Sequence, residues 1–238
     1  MSKPPLRVPI ADLAAGELTL APEAAAYVAR VHRLAVGDRL VVFDPDRALE
    51  ADAAIAEVGK RAVVVRVEAP RPALRPPRAI TLIQGIGKGD KMDAIARDAT
   101  ELGVTRIIPA LCERSVARPD AARAARWRRI AVEAARQCGR GDAPIIDPPT
   151  PFLDVVRASD GARFCLDPRA DRGLGAALAV LPPTATVAFA VGPEGGLSDE
   201  ELAAAAAAGF TSVSIGRLIL RTETVCAAVL GALLVQSS

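Results

Sequence analysis

Two short segments near the C-terminal end of the chain combine residue types suited to holding a small ligand. In Val191-Gly192-Pro193-Glu194-Gly195-Gly196-Leu197-Ser198-Asp199-Glu200-Glu201-Leu202, a tight cluster of glycines directly follows an apolar run. Without Cβ atoms, the backbone there can turn sharply and come close to a ligand. Ser198 and Glu201 stand at capping-box spacing, with Leu197 and Leu202 as the hydrophobic staple, so a helix should start immediately beyond. The second segment is Ser214-Ile215-Gly216-Arg217-Leu218-Ile219-Leu220-Arg221-Thr222-Glu223-Thr224. Leu218, Ile219 and Leu220 are poorly suited to a solvent loop and would suit an apolar slot for a flat heterocycle. Arg221 could hold a carbonyl or a phosphate. Taken singly, each segment also reads as plain structure: the first as a turn, the second as a buried loop with Arg221 paired to Glu223 or Glu194.

Composition removes other chemistries. His32 is the only histidine, which argues against a two-histidine metal site or a Ser-His-Asp triad elsewhere. Cys112, Cys138, Cys165 and Cys226 form no CxxC pattern, so reduced thiols packed as small hydrophobes are expected, and no metal. Gln84-Gly85-Ile86-Gly87-Lys88-Gly89-Asp90-Lys91 follows an apolar run as a phosphate loop would, but it lacks Gly-Lys-[Ser/Thr] and the G-x-G-x-x-G spacing. Hydrophobic residues make up 51% of the 238, enough for a sizeable core. No run reaches the roughly 18 apolar residues of a membrane span. Met1 to Pro5 leads into no apolar signal region, so a cytoplasmic location away from membranes is expected. The net charge is only +2, yet Arg123, Arg126, Arg128, Arg129, Arg136 and Arg140 crowd around Trp127. That stretch reads either as a solvated helix face or as a local basic patch for RNA.

The elements that must position these residues fall into two rhythms. Up to residue 72, short apolar runs alternate with turn signals: 39–43, 51–58 and 62–67 as strands, 24–34 as a helix. This predicts a small β-barrel. The proline- and arginine-dense stretch Ala69 to Arg78 is stiff and supports neither helix nor central strand, so a linker is set at 73–78. From 79 onward strands (79–84, 106–108, 163–166, 186–191, 211–215) alternate with helices (90–102, 120–138, 173–180, 198–208, 222–235). That order predicts an α/β domain over 79–238 with a mostly parallel sheet.

Together the two segments resemble the motifs of trefoil-knotted, SPOUT-type methyltransferases, and more closely the bacterial 16S rRNA uracil-N3 methyltransferase family (RsmE type). The resemblance extends to Lys88-Gly89-Asp90-Lys91-Met92-Asp93, Thr100 to Val104, Glu113-Arg114-Ser115, Glu133 to Arg140, and Arg30 to Leu34 with Val36-Gly37-Asp38. The chain departs from the pattern at Leu218, where the family usually carries arginine; Arg217 stands next to it. Asp167 stands where relatives often differ, and it is given no role.

The resemblance implies a PUA-like RNA-binding β-barrel at 1–72 and a knotted methyltransferase domain at 79–238, usually a homodimer. It implies S-adenosylmethionine held by Leu166, Gly192, Pro193, Glu194, Gly195, Gly196, Ile215, Gly216, Leu218, Leu220 and Thr222. Arg221 becomes the expected catalytic cation, with Glu223 or Glu194 as a base. Arg7, Arg30, Arg33, Lys88, Lys91, Arg114, Arg136 and Arg140 become the expected RNA contacts. The implied partner is 16S rRNA within an assembled or nearly assembled small subunit. Alternatives are another knotted enzyme methylating ribose 2′-O, or a non-catalytic RNA-binding assembly factor.

Overall fold

The alternation of small apolar and polar residues from Leu49 to Val58 buries Ala51, Ala53 and Ile55 on one face of a strand. That strand organises the first of two units. A computed structural model of the chain describes residues 5–59, 62–116 and 121–236. The expected turn residue Lys60 and helix start Asp120 lie outside the described residues. The chain divides into Met1–Arg75 with Ala135–Ala143, and Pro76–Ala134 with Pro144–Ser238.

In the first unit, strands β1 (Arg7–Pro9), β2 (Gly16–Thr19), β3 (Arg39–Asp44), β4 (Leu49–Val58) and β5 (Val63–Val67) lie in the order β1-β3-β4-β5-β2. A two-residue strand β6 (Arg71–Pro72) pairs with β4. The β1–β3 pair is parallel and the others are antiparallel. Val8, Leu20, Val28, Leu40, Val42 and Val65 share the core. The helix expected over 24–34 is instead α1 (Pro22–Ala26) continuing as a π-helical turn, Tyr27–Val31. The strand β6 falls inside the stretch read as a stiff boundary. It is short and holds to the edge position that proline tolerates, and Arg71 ties it to Glu50 and Asp52.

The second unit carries strands β7 (Ile80–Gly85), β8 (Arg106–Leu111), β9 (Ile145–Ile146), β10 (Thr150–Pro151), β11 (Ala162–Leu166), β12 (Val187–Val191) and β13 (Thr211–Val213). Their order is β10-β8-β7-β12-β11-β13, with β9 beside β8, and every pairing is parallel. Helices α2 (Lys91–Glu101), α3 (Ala121–Cys138), α4 (Phe152–Arg157), α5 (Leu174–Leu178), α6 (Asp199–Ala207) and α7 (Thr222–Gln236) make the connections. The sheet is buried on both faces. Leu82, Val187, Phe189 and Val191 pack with Ile95, Trp127 and Leu230 on one side, while Ile83, Ala188 and Ala190 pack with Phe152 and Phe210 on the other. This is why β12 is apolar throughout rather than alternating.

Two features of this unit lay outside the sequence reading. Strands β9 and β10 with helix α4 are too short to carry a periodic signal. The stretch Ala135–Ala143, taken as part of the second domain, groups with the first unit. There Gly141 N–H donates to Leu74 O and Ala143 N–H to Pro45 O.

Cys112, Cys165 and Cys226 are buried, and burial pushes each thiol up to about 12. Among the described residues no helix is long and apolar enough to cross a membrane, and no cluster of His, Cys, Asp and Glu could hold a metal.

Candidate functional site

The strands β11, β12 and β13 are neighbours in the sheet, and all run the same way, so their carboxyl ends meet at one edge. In such sheets the crevice beyond the carboxyl ends receives ligands. Here it is a cavity of about 460 Å³, within the roughly 300–1,000 Å³ typical of small-molecule sites. Leu166 ends β11, the segment Gly192 to Gly196 follows β12, and Ser214 to Thr222 follows β13. Leu166, Gly192 to Gly196, Ile215, Gly216, Leu218, Leu220 and Thr222 all line it.

The glycine loop is shaped by its own backbone. A Cβ on Gly192 would lie 2.9 Å from Gly196 C and Leu197 N, and Gly196 has φ +71, so both positions require glycine. A Cβ on Gly85 would lie 2.5 Å from Pro193, which shows how closely the end of β7 backs the loop. Gly195 is less constrained, since its Cβ would meet only the Arg114 side chain, at 3.2 Å. The helix start beyond the loop is the expected capping box: Ser198 Oγ accepts from Glu201 N–H and Glu201 Oε2 from Ser198 N–H. The other oxygen of Glu201 accepts the Glu113 N–H at 2.8 Å, which joins the end of β8 to the same cap.

A buried chain of donors ties the two cavity loops together. Gln84 Nε2 donates to Gly85 O and to Thr222 Oγ1, and the Thr222 hydroxyl donates to Gly192 O at 2.8 Å. Gln84 is fully buried and Thr222 nearly so. The sequence places Gln84 only at the end of a strand and in the rejected phosphate-loop stretch, and does not predict this link. The polar position inside an otherwise apolar strand was its only signal.

Lys91 was expected on RNA, yet it lines the cavity and stands between the two glutamates considered as bases. Its Nζ lies 2.9 Å from Glu194 and 3.6 Å from Glu223. The hydrogen bond to Glu194 holds the Lys91 ammonium above its ordinary value. Burial pushes the Glu194 carboxyl up, but hydrogen bonds from Lys91, its own N–H and the Lys88 N–H outweigh burial and leave it below the ordinary range. Glu223 is not among the residues lining the cavity, and its Oε2 lies 3.6 Å from Lys91 Nζ. Arg221 pairs with neither glutamate. It is exposed, lines the cavity and has no ion partner among the described residues. Arg217, beside the family-divergent Leu218, stays outside the cavity wall.

The expected RNA contacts divide sharply. Arg7 pairs with Glu50 at 2.9 Å and lies over the Phe43 ring. Arg136 is buried with its guanidinium 4.2 Å from the Tyr27 ring centroid, and Arg140 is buried in a two-pronged pair with Asp142. Arg136 and Arg140 are thus buried within the first unit and Arg7 is half-buried there. Arg114 braces the glycine loop by donating to Gly195 O and Leu197 O. Arg30 and Arg33 in the first unit, and Lys88 in the second, remain exposed. The cavity takes in Ile219, as its place in the apolar slot predicts, and also Asp167, Pro168 and Ser214, to which the sequence assigns no ligand role.

Comparison with known proteins agrees with this geometry. Residues 74–234 match the RNA methyltransferase domain, and residues 20–68 match the RNA methyltransferase PUA domain. The ribosomal RNA small subunit methyltransferase E of Mycobacterium tuberculosis is 33% identical over 233 residues, covering 89% of this chain and 84% of that protein. The protein of the same name from Synechocystis is 38% identical over 152 residues, a match that spans 62% of this chain and 50% of the relative. Among solved structures, a Legionella pneumophila methyltransferase in complex with the cofactor SAM superposes with TM-score 0.89 at 32% identity, over 98% of both chains. The ribosomal RNA small subunit methyltransferase E of Neisseria gonorrhoeae, bound to S-adenosyl methionine, superposes with TM-score 0.88 at 28% identity over 98% of both. With its two matched domains, its glycine-loop cavity and relatives that align along most of its length, this chain belongs to the RNA methyltransferase family that includes the ribosomal RNA small subunit methyltransferases E.

Proposed function

We propose that the chain methylates N3 of a specific uridine in 16S rRNA of the small ribosomal subunit, using S-adenosylmethionine. The observation that carries this reading is the cavity at the ends of β11, β12 and β13, where a glycine loop meets an apolar loop ending in Arg221, which has no ion partner among the described residues. The residues suit the cofactor. Gly192, Gly195 and Gly196 bring main chain to the cavity wall, where a nucleoside can approach it closely. Leu218, Ile219 and Leu220 offer apolar surface for a purine, and Arg221 a cation for a carboxylate or a base carbonyl.

When bound, S-adenosylmethionine supplies an electrophilic methyl group. The chain's own part is alignment, which contributes roughly 7–11 kcal/mol in favourable cases. Arg221 stabilises the negative charge that grows on a uracil oxygen as N3 loses its proton. Lys91 holds Glu194 against the loop and keeps Glu223 turned away, so the N3 proton passes to water rather than to either carboxylate. Arg30, Arg33 and Lys88 contact phosphates and set register without reading bases.

The same reading includes a trefoil knot around the cavity loops, a cytoplasmic setting and a homodimer. Leu218 and Ile219, 78% and 87% exposed, are surface that a second copy would cover.

The test is methylation of small-subunit particles purified from a strain lacking the modification, with the product nucleosides identified by mass spectrometry. 3-Methyluridine is expected, with particles preferred over free 16S rRNA. A ribose-methylated nucleoside would overturn the base assignment. Absence of any methylated product would overturn the whole reading.

A further inference from the structure

We infer that Asp167, through its free carboxylate oxygen, accepts a hydrogen bond from a neutral donor on the nucleoside half of the cofactor, and so sets ligand selectivity in this chain. The inference rests on the proposed cofactor site and assigns a recognition residue within it.

Asp167 immediately follows β11 and lines the cavity. Its backbone N–H donates to Val213 O at 3.0 Å, which fastens the residue to the end of β13. Oδ1 accepts the Arg169 N–H at 3.0 Å and Arg169 Nε at 3.2 Å, and the far end of that guanidinium reaches Asp199 at 3.0 Å. One carboxylate oxygen is thus consumed by a local turn that sets the rotamer. The other, Oδ2, has no hydrogen-bond partner among the described residues, and the side chain is only 15% exposed. A carboxylate oxygen accepts and cannot donate. An acceptor oriented by that turn at the cavity wall and left unused by the described protein groups suits a donor on the ligand.

The position along the sheet selects which part of the ligand that is. Strand order is β7-β12-β11-β13. Lys91 and Glu194, with their opposite charges, gather on the β7 side, where Thr222 is also held through Gln84. Asp167 stands on the β11 side, two strand spacings or roughly 10 Å away. The cavity therefore has a charged end suited to the amino-acid part of the ligand, and a second polar point beside the loop that leaves β13. The donors available on a nucleoside at that second point are the ribose hydroxyls and the exocyclic amine of adenine. In dinucleotide-binding Rossmann sheets an acidic side chain takes the ribose 2′-hydroxyl, which shows that a carboxylate suits this donor.

The experiment measures, by calorimetry on the full chain, Asp167→Asn against wild type with S-adenosylmethionine and S-adenosylhomocysteine. It then adds two analogues of the latter, one lacking the ribose 2′- and 3′-hydroxyls and one with the adenine amine replaced by oxygen. Asparagine preserves the turn acceptor and removes only the free one. We expect roughly tenfold weaker binding of both parent ligands, as for loss of a charge-assisted hydrogen bond, and no difference between variant and wild type for the dideoxy analogue. A penalty that vanishes instead with the deaminated analogue supports the same inference with the amine as donor. An equal penalty for every ligand overturns it, because a merely structural role predicts that pattern. A penalty for S-adenosylmethionine alone also overturns it, since the carboxylate would then be pairing with the sulfonium. Arg169→Ala separates the turn from the ligand contact: if it reproduces the whole pattern, the effect runs through the Asp167–Arg169 bridge and the inference fails. Unchanged affinity in Asp167→Asn sinks this inference alone, whereas a wild-type chain that binds none of the four ligands sinks the cofactor site itself.

Discussion

The two loops that wall the cavity are held in opposite ways. The loop Gly192 to Gly196 is fastened from several directions. Arg114 braces Gly195 O, Thr222 holds Gly192 O, Glu194 is gripped by Lys91 and the Lys88 N–H, and Gly196 N–H closes onto Pro193 O at 2.8 Å. The loop after β13 is held only at its two ends, by Ser214 and Thr222. From Arg217 to Arg221 no side chain makes a hydrogen bond or ion pair among the described residues, and Leu218 and Ile219 stand largely in solvent. One wall is preorganised by the chain itself, and preorganised walls bind without an ordering cost. The other wall has its order supplied by what comes to cover it.

The most direct way to break this contrast is to disturb the fastened wall. In Gly192→Ala the added methyl meets Gly196 C and Leu197 N at 2.9 Å, both backbone atoms of the same loop, so the loop cannot close as it stands. Cofactor affinity by calorimetry should fall on the order of a thousandfold. Gly195→Ala is the internal control. Its methyl meets only the flexible Arg114 side chain, so the loss should be far smaller. Equal losses would mean that the glycines serve close approach to the ligand rather than closure of the loop.

The free wall should show its contribution in turnover rather than binding. Arg221→Ala removes a cation that pairs with no group among the described residues. Turnover in single-turnover methylation should fall on the order of a hundredfold, comparable to loss of one transition-state donor. Cofactor affinity should change by no more than about threefold. A matched fall in both would place Arg221 on the cofactor carboxylate instead of the base.

The contrast also explains what could be read from the sequence. The fastened loop was legible because its signals are local: clustered glycines, then a capping box, within a dozen residues. So were the longer parallel strands and most helices. Lys91 and Gln84 were not legible as site residues, because strand order alone brings the end of β7 beside the loop after β12. Asp167 shares that difficulty, since its neighbour across the cavity edge is β13. The surroundings of the arginines were illegible for a different reason. Arg136 and Arg140 announce charge, but burial over Tyr27 and beside Asp142 depends on the stretch after α3 folding with the first unit. An arginine-rich helix end carries no periodic mark of that.

A smaller effect tests the electrostatic fastening. A carboxyl held below its unfolded value stabilises the fold above that unfolded value, near 4.5 for Glu194, and its contribution fades as pH falls through the lowered folded value. Lys91 works with the opposite sign. Its raised value gives a contribution present below about 10.5 and lost as pH rises through the folded value. In Lys91→Met, Glu194 loses its chief charged partner while its burial remains. Cofactor affinity near neutral pH should weaken by up to about tenfold, as expected for a half-exposed ion pair with one charged hydrogen bond. On acidification the variant should lose affinity at a higher pH than wild type. Coincident acid limbs for the two proteins would show that the Lys88 N–H and the loop's own N–H fasten Glu194 unaided.

The smallest expected effect lies in the fold itself. Leu218→Ser with Ile219→Ser changes two side chains that are mostly in solvent, so unfolding free energy of the isolated chain should move by no more than about 0.5 kcal/mol. If a second copy covers the loop, sedimentation velocity should instead show a clear shift toward monomer, with cofactor affinity weakened in parallel as the wall loses its cover. A double variant that stays associated but binds cofactor poorly would divide the two roles. The apolar side chains would then face the ligand, and the order of the free wall would come from the cofactor alone.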